Sequence, residues 1–327
     1  MKLADALLSG RTENLDLLRV VLAVCVIVSH AWPLALGPGT SEPLEHLTGR
    51  SLGGWAVLMF FFLSGLLITA SAERRTSKEF WRARIRRIFP GLGVALFVTL
   101  VLALISGATP FAEEAAFWYF RAITLVSIEH QIPGAFAANP YPGVVNGPLW
   151  SLFHEVLAYG CCVALVSLGA LQRGSHILGL TAVISAANLW TDVMPSRLAT
   201  FLPLLFAFSL GMAAFRLQTR LKLRSDLGIT SALAVFFLPG MLAVLALSYA
   251  VLSLTLVTRP VRTTADYSYG FYIYGWPVAQ FIVHLQPGVG PVALAALSLV
   301  LTLPFAMVSW HLVERPTMTF RKAMVAS

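Results

Sequence analysis

The chain consists of long apolar runs separated by short polar segments, and the runs have the length of helices that cross a bilayer. A spanning helix needs about 20 apolar residues, whereas strands of an outer-membrane barrel show about ten residues of alternating polarity. The apolar runs here do not alternate. The pattern therefore predicts an all-α integral membrane protein, a single domain over residues 1–327 with about ten transmembrane helices. The predicted spans are about 14–33, 52–70, 89–107, 148–171, 177–189, 198–215, two short spans within 227–258, 267–284 and 291–312.

Basic residues concentrate in two polar segments and determine the predicted orientation. Lys and Arg gather in residues 74–87, which we predict as a loop, and again in 216–224. Because basic loops stay in the cytoplasm, both segments and both termini are predicted to be cytoplasmic. Arg259 and Arg262 then require two crossings between 227 and 258, with the break at Pro239-Gly240.

The segment between the third and fourth spans has a different character. Residues 111–130 are partly apolar but include Glu113, Glu114, Arg121 and Glu129, which makes a crossing costly. We predict an interfacial or half-inserted helix there. The following residues 131–147 are rich in Pro, Gly and Asn and are predicted to form an ordered outer loop.

Composition supports this class and excludes others. The chain is 57% hydrophobic and 12% charged, against roughly 45–50% and 25% in soluble domains. Its net charge of +8 is explained by cytoplasmic loops facing membrane lipids, so no nucleic-acid partner is expected. Cys25, Cys161 and Cys162 lie in apolar runs without metal-ligand spacing. We interpret them as packing residues and expect neither a disulfide nor a metal.

Two ionisable residues of the first span are candidate site residues. Arg19 and His30 are eleven positions apart, about three helical turns, so they share one face and are separated by about 16 Å along the axis. Ionisable groups inside a span usually face a bundle interior or a wet cavity. The alternative is that Arg19 reaches the headgroups and His30 is a packing residue.

A second candidate group begins the fourth span, in NGPLWSLFHEVLAYG. Ser151 and Glu155 are four residues apart and share a helix face. Because this helix starts on the outer side, Glu155 is predicted to lie at the depth of His30, where a carboxylate would orient the imidazole and raise its basicity. Otherwise Glu155 is an ordinary carboxylate at the membrane edge.

Arginines and tyrosines complete the candidates. Arg84 and Arg87 lie one turn apart before an apolar helix, which suits either phosphate binding or, as spacing alone favours, headgroup attraction. In YSYGFYIYGWP, Tyr267 is typical of an interfacial belt, whereas Tyr272 and Tyr274 are predicted to line a cavity for a sugar.

An ordered set of motifs resembles the membrane acyltransferase-3 family. The set is LDLLR with Arg19, His30 further along that span, FFFLSG, RARIRRIFP, PLWSLFHE, YSYGFYIYGWPV and HLVERP, and it covers about Asn14 to Pro316. The resemblance implies a bacterial inner-membrane enzyme that moves an acyl group, usually acetyl from acetyl-CoA, to a hydroxyl of a surface glycan or glycolipid.

The resemblance also implies residue roles. His30 would be the catalytic histidine with Arg19 as its conformational or donor-site partner, and Arg84 and Arg87 would contact CoA phosphates. From the residues themselves we predict Glu155 as a helper of His30, and Trp150, Ser151, Tyr272 and Tyr274 as substrate-binding residues. Two departures are visible: Phe153-His154 replaces smaller residues, and Gly275 stands where many members have histidine.

Two further expectations concern function. The chain ends at Ser327 without a fused hydrolase-like domain, so we expect no two-site relay by this chain alone. A polytopic transporter or flippase with an Arg/His/Glu pathway is the alternative function.

Overall fold

The computed structural model describes residues 1–9, 12–109, 111–125, 130–261, 263 and 265–324. All regular secondary structure in these ranges is helical, apart from two isolated β-bridges, which confirms the all-α prediction. The helices are α1 (Leu3–Leu8), α2 (Glu13–Leu36), α3 (Pro43–Thr48), α4 (Leu52–Arg74), α5 (Ser77–Ile105), α6 (Ala112–Thr124), α7 (Trp150–Ser167), α8 (Gly174–Ala187), α9 (Ser196–Arg216), α10 (Ser225–Ala234), α11 (Gly240–Val257), α12 (Ser268–Leu285), α13 (Pro291–Val308) and α14 (Arg315–Met324). A 3₁₀ turn, Gly147–Leu149, leads into α7, another covers Asn188–Val193, and a π-helical stretch, Ser309–Glu314, joins α13 to α14.

Seven of the described helices are long and apolar enough to cross a bilayer. They are α2, α4, α5, α7 with its preceding turn, α9, α11 and α13 continued into α14. The other predicted spans correspond to α8, α10 and α12. At 1.5 Å per residue, the 14 residues of α8 and the 10 of α10 reach about 21 and 15 Å, less than the roughly 30 Å hydrocarbon core. The number of ten crossings and the cytoplasmic termini therefore stay predictions.

The structure corrects one predicted helix boundary and confirms another. The basic segment 74–87 was predicted as a loop, but α5 already begins at Ser77, because Thr76 and Glu79 form a capping box that starts the helix within it. The break predicted at Pro239-Gly240 is confirmed, since α11 begins at Gly240 with a positive φ of 49°. Arg262, used in the topology argument, lies outside the described residues.

The predicted interfacial helix corresponds to α6. Its 13 residues reach about 20 Å, too short for a crossing. Phe111, Phe117 and Phe120 are exposed, at 79, 63 and 66%, as an interfacial helix requires. Glu129, the last charge of the predicted segment, lies outside the described residues.

Glycines allow α4 and α9 to approach closely at the centre of the bundle. A Cβ atom on Gly65 of the FFFLSG motif would collide with the carbonyl oxygen of Phe208, and one on Gly211 would collide with that of Phe62. The two contacts are reciprocal, as in small-residue helix interfaces within membranes. Gly275 has a similar role in α12, where a Cβ would come within 2.6 Å of Ile27 on α2. A histidine at this position would therefore require the Ile27 side chain to move.

The outer segment 131–147 is ordered, as predicted, because polar side chains attach it to α12. Asn139 donates to the backbone and side-chain oxygens of Gln280 at 2.9 and 2.8 Å. Gln280 and Trp276 both donate to the carbonyl of Val144, at 2.9 and 3.0 Å. Asn146 donates to the carbonyl of Ile273 at 3.0 Å. These bonds fix the entry to α7 relative to α12.

Candidate active site

A cavity of about 390 Å³ opens among the basic residues at one end of the bundle, and we name it the arginine cavity. Its walls come from the middle of α4, the first half of α5, α7 and the start of α12, with Arg19 of α2 and Met318 of α14. Five arginines line it: Arg19, Arg75, Arg84, Arg86 and Arg87. A site with this many cations is suited to a ligand with several negative charges.

Two of these arginines are already bound by carboxylates. Asp266 Oδ2 accepts from Arg19 at 2.9 Å and from Arg87 at 2.6 Å. Arg87 also lies 3.4 Å from Glu314, whose other oxygen accepts from Ser309 at 2.9 Å. We name Arg19, Asp266, Arg87 and Glu314 the charge network. Arg87, predicted as a phosphate contact, thus serves to hold the mouth of the cavity together.

Asp266 is the centre of that network and was not identified from the sequence. Its Oδ1 accepts from the backbone N–H of Ser268 at 3.1 Å and from the Ser268 hydroxyl at 2.5 Å. Burial alone raises the pKa of Asp266, but the guanidinium groups of Arg19 and Arg87, together with the two hydrogen bonds from Ser268, outweigh burial and hold the pKa below its usual value. The carboxylate is therefore charged at neutral pH and neutralises part of the arginine cavity.

The other three arginines remain available for a ligand. In the part of the chain that the structure describes, no carboxylate lies within 4 Å of Arg75, Arg84 or Arg86. Arg84 lies over the ring of Phe80 at 5.9 Å, and its buried Nε has no hydrogen-bond partner. A half-buried guanidinium without a carboxylate within 4 Å favours binding of an anion.

Glu155 lies in the arginine cavity and not beside His30. Its Oε1 accepts hydrogen bonds from Ser64 at 2.9 Å and from Tyr159. The predicted Glu155–His30 pair is therefore not formed. The reason is geometric: α7 packs on α4, and this packing directs Glu155 toward Ser64 in the arginine cavity.

His30 lines a second cavity, of about 400 Å³, which we name the histidine cavity. Its walls are the end of α2, the 40–54 segment and the starts of α7 and α9. Glu42, Glu45 and Arg50 give it charged groups, and Trp150 an aromatic wall. The His30 imidazole makes an edge contact with Trp276, with ring centroids 5.0 Å apart.

The two cavities meet at Val57 and Tyr272, which line both. The Tyr272 hydroxyl donates to the carbonyl of Pro148 at 2.8 Å, so the Ser151 hydroxyl, 2.5 Å away, donates to it. Arg19 and His30 share a helix face as predicted, but each lines a different cavity. The two cavities thus lie next to each other, toward opposite ends of α2 and α4.

The remaining predicted residues divide between the two cavities, with one exception. Ser151 lines the arginine cavity and Trp150 the histidine cavity. Tyr274 lines neither, because it packs against Phe305 of α13 with ring centroids 5.7 Å apart. Among the described residues, no group of three His, Cys, Asp or Glu side chains is arranged to hold a metal ion.

Sequence reasoning missed Ser64, Tyr159, Asp266 and Glu314. For two of them a signal was present. Asp266 is an isolated carboxylate just before an apolar run, and Glu314 belongs to the HLVERP motif. Ser64 and Tyr159 carry no charge and lie within apolar runs, so their positions in the sequence do not distinguish them as site residues.

Comparisons with known proteins agree with this arrangement. A family described as "Acyltransferase domain" matches residues 12–256. The chain is 31% identical over 336 residues to an "O-acetyl transferase" of Shigella phage Sf6, covering 94% of this chain and 97% of that protein. It is 27% identical over 376 residues to "Nodulation protein 10" of Rhizobium leguminosarum bv. viciae, covering 97% and 96%. No solved structure matches it significantly. The chain therefore belongs to the membrane acyltransferase-3 family, and it is a multi-pass membrane acyltransferase.

Proposed function

We propose that this protein transfers an acyl group, acetyl in the first instance, from acyl-CoA to a hydroxyl of a cell-surface or exported glycan or glycolipid. One observation carries the proposal: the arginine cavity and the histidine cavity lie toward opposite ends of α2 and α4 and share Val57 and Tyr272 as lining residues. A donor on one side and an acceptor on the other can thus react without either crossing the membrane. The relative named "O-acetyl transferase" supports the same reaction class.

The donor would bind in the arginine cavity. Arg75, Arg84 and Arg86 have no carboxylate partner among the described residues, and guanidinium groups match phosphate oxygens in charge and geometry. The phosphates of CoA would occupy this end, and its pantetheine arm would extend along the apolar side chains of α4 toward Tyr272. This places the thioester at the junction of the cavities.

His30 would supply the base. As a sugar hydroxyl oxygen attacks the thioester carbonyl carbon, the imidazole takes the hydroxyl proton. The C–S bond breaks, and the leaving CoA thiolate receives that proton, so one O–H and one C–S bond are replaced by an ester C–O and an S–H bond. In a two-step route the imidazole carries the acyl group first.

Arg19 and Glu155 would act on the donor side. Arg19 is held by Asp266, so its contribution is to the shape and charge of the arginine cavity. Glu155 is held by Ser64 and Tyr159 in that same cavity. Because glutamine removes a negative charge from the cavity proposed for an anionic donor, a Glu155→Gln protein should gain donor affinity while keeping the acid limb of its kcat/KM profile. A shifted acid limb would instead return Glu155 to the role of helper of His30.

The test of the function is acyl transfer by purified protein. Labelled acetyl-CoA and polysaccharide from the strain that carries the gene should give labelled polysaccharide. His30→Ala should abolish transfer and keep acetyl-CoA affinity, whereas His176→Ala, which changes an exposed histidine outside the cavities, should be fully active. Substantial transfer by a well-folded His30→Ala protein would refute the role of His30.

The same preparation tests the transport alternative. Reconstituted vesicles that move labelled glycan without acylating it would identify a transporter or flippase. We place the protein in the bacterial inner membrane with the arginine cavity facing the cytoplasm, because acyl-CoA is cytoplasmic and four arginines of the basic segment 74–87 line that cavity.

A further inference from the structure

A third cavity, of about 310 Å³, lies beside the histidine cavity, and we name it the side cavity. It is formed mainly by the first turns of α7 and α9, with Phe153, His154, Arg197 and Thr200 among its lining residues. Trp150 and Thr200 line both the side cavity and the histidine cavity. A ligand longer than one ring could therefore occupy both.

His154 lines the side cavity and has an unpaired polar atom. The residue is 6% exposed, and its ring is enclosed by those of Trp150, Phe153 and Phe201, with centroids 5.5, 5.2 and 5.5 Å away. Its Nδ1 lies 3.0 Å from the carbonyl oxygen of Trp150. Its Nε2 is buried without a hydrogen-bond partner. Buried polar atoms normally have a partner, so Nε2 is free to form a hydrogen bond with an atom of a bound molecule.

The backbone contact determines what kind of atom that is. A carbonyl oxygen can only accept, so Nδ1 of His154 must carry the proton. In the neutral imidazole, Nε2 is then an acceptor and requires an O–H or N–H donor. A sugar hydroxyl meets this requirement, whereas a lipid acyl chain would leave Nε2 unpaired. Aromatic rings beside a polar group are also the usual lining of a site that binds a sugar ring.

We propose that the side cavity is a subsite for a second sugar unit of the acceptor glycan. Trp150 lies between this unit and the one acylated at His30, and His154 Nε2 accepts a hydrogen bond from a hydroxyl of the second unit. Thr200 and Arg197, both exposed at the rim, supply further hydrogen-bonding groups. The inference rests on the proposed function in that the acceptor is a glycan. It explains the Phe153-His154 departure from the family pattern as a determinant of acceptor length.

The test compares sugar probes of two lengths. Polysaccharide of the strain that carries the gene is cut by mild acid, separated into single-sugar and tetrasaccharide fractions, and labelled with a fluorophore. Binding is measured by anisotropy in a His30→Ala background, so that no acyl transfer occurs. His154→Phe keeps an aromatic ring and removes both nitrogens. We expect the preference for the tetrasaccharide over the single sugar to fall about tenfold, as for a lost hydrogen bond that leaves a hydroxyl unpaired.

His176→Phe is the matched control. The Nδ1 of His176 also contacts a backbone carbonyl, that of Ala170 at 3.2 Å, but this residue lines none of the three cavities. Its preference for the longer probe should equal that of the parent. An unchanged preference in His154→Phe overturns the proposal, and so does an equal loss for both probes, which would mean that His154 only maintains the shape of α7.

A labelling measurement covers the case in which His154→Phe does not fold. Ser196→Cys, in a background with the three native cysteines changed to alanine, places a thiol on the side cavity. The tetrasaccharide should slow its reaction with a maleimide several-fold, and the single sugar should not. Equal rates, or protection by phospholipid alone, would overturn the subsite. Tetrasaccharide protection without acyl transfer by wild-type protein would refute the proposed function and leave the subsite standing.

Discussion

Replacing Asp266 by asparagine is the sharpest test of the charge network. The substitution keeps the shape of the side chain and removes the charge that pairs with Arg19 and Arg87, at 2.9 and 2.6 Å. The Asp266 side chain is 11% exposed, so water replaces little of the lost interaction. Removing one partner of a buried ion pair costs about 3–5 kcal/mol, and we expect about 3 kcal/mol because Arg19, at 28% exposed, can still be partly solvated.

The loss is measurable as thermal stability in detergent. With a shift of about 2 °C per kcal/mol for a chain of this length, Asp266→Asn should lower Tm by about 5–7 °C, followed by tryptophan fluorescence. The control is Asp226→Asn, whose partner Arg224 and own side chain are 59 and 61% exposed, and its Tm should be unchanged. Adding Arg19→Met to Asp266→Asn should recover part of the loss, because one uncompensated cation is removed.

The pH dependence of Tm independently checks the direction of the pKa shift of Asp266. The pKa of Asp266 is depressed on folding from its ordinary 3.8, so its stabilising effect is complete above about pH 5 and is lost as pH falls through the folded value. The Tm difference between wild type and Asp266→Asn should therefore be constant near neutral pH and shrink below about pH 4. An Asp266→Asn protein with the Tm of the wild type, or a Tm difference between the two proteins that shrinks as pH rises, would refute the reasoning.

Three other predictions follow from single positions. Arg84→Ala should weaken acyl-CoA binding about tenfold at unchanged Tm. Arg84→Lys should restore the affinity only in part, because lysine lacks the planar fork of donors, and unchanged affinity in Arg84→Ala would assign Arg84 to lipid headgroups. Gly65→Ala should lower Tm or folded yield, because the new Cβ meets a backbone carbonyl of α9. Gly179→Ala is the control and should change neither, since Gly179 has open space around it. Equal behaviour of the two variants would contradict the packing of α4 on α9. In intact cells, Ala138→Cys should react with an impermeant thiol reagent and Arg220→Cys should not, and the reverse result would invert the topology.

Much of the fold could be predicted from the sequence because it depends on local properties. The lengths of the apolar runs gave the seven long helices, and Pro239-Gly240 gave the break before α11. The boundary at Ser77 could have been found from the Thr76-x-x-Glu79 capping box. Which helices touch is a different matter: the close approach at Gly65 depends on a glycine 146 positions away, Gly211, and no local pattern contains it.

The candidate site could likewise be predicted only in the part that depends on local helix geometry. The common face of Arg19 and His30 follows from helical geometry and could be predicted. The Glu155–His30 pair was predicted from depth alone, and depth does not specify direction. Glu155 instead meets Ser64, 91 positions away, because the packing of α7 on α4 turns it toward the arginine cavity.

Arg84 and Arg87 show why a pattern of charges does not give the charges available to a ligand. They are one turn apart on the same helix, and the sequence offers no reason to treat them differently. Asp266 and Glu314, 179 and 227 positions away, meet Arg87 and not Arg84. Charge already neutralised by carboxylates contributes little attraction to a distant anion, so Arg87 shapes the mouth of the cavity whereas Arg84 retains its attraction for a phosphate. The charge available to a ligand is thus determined by where Asp266 and Glu314 lie in the fold. A ligand responds to the arginines that these two carboxylates leave unpaired, and not to the total number of arginines.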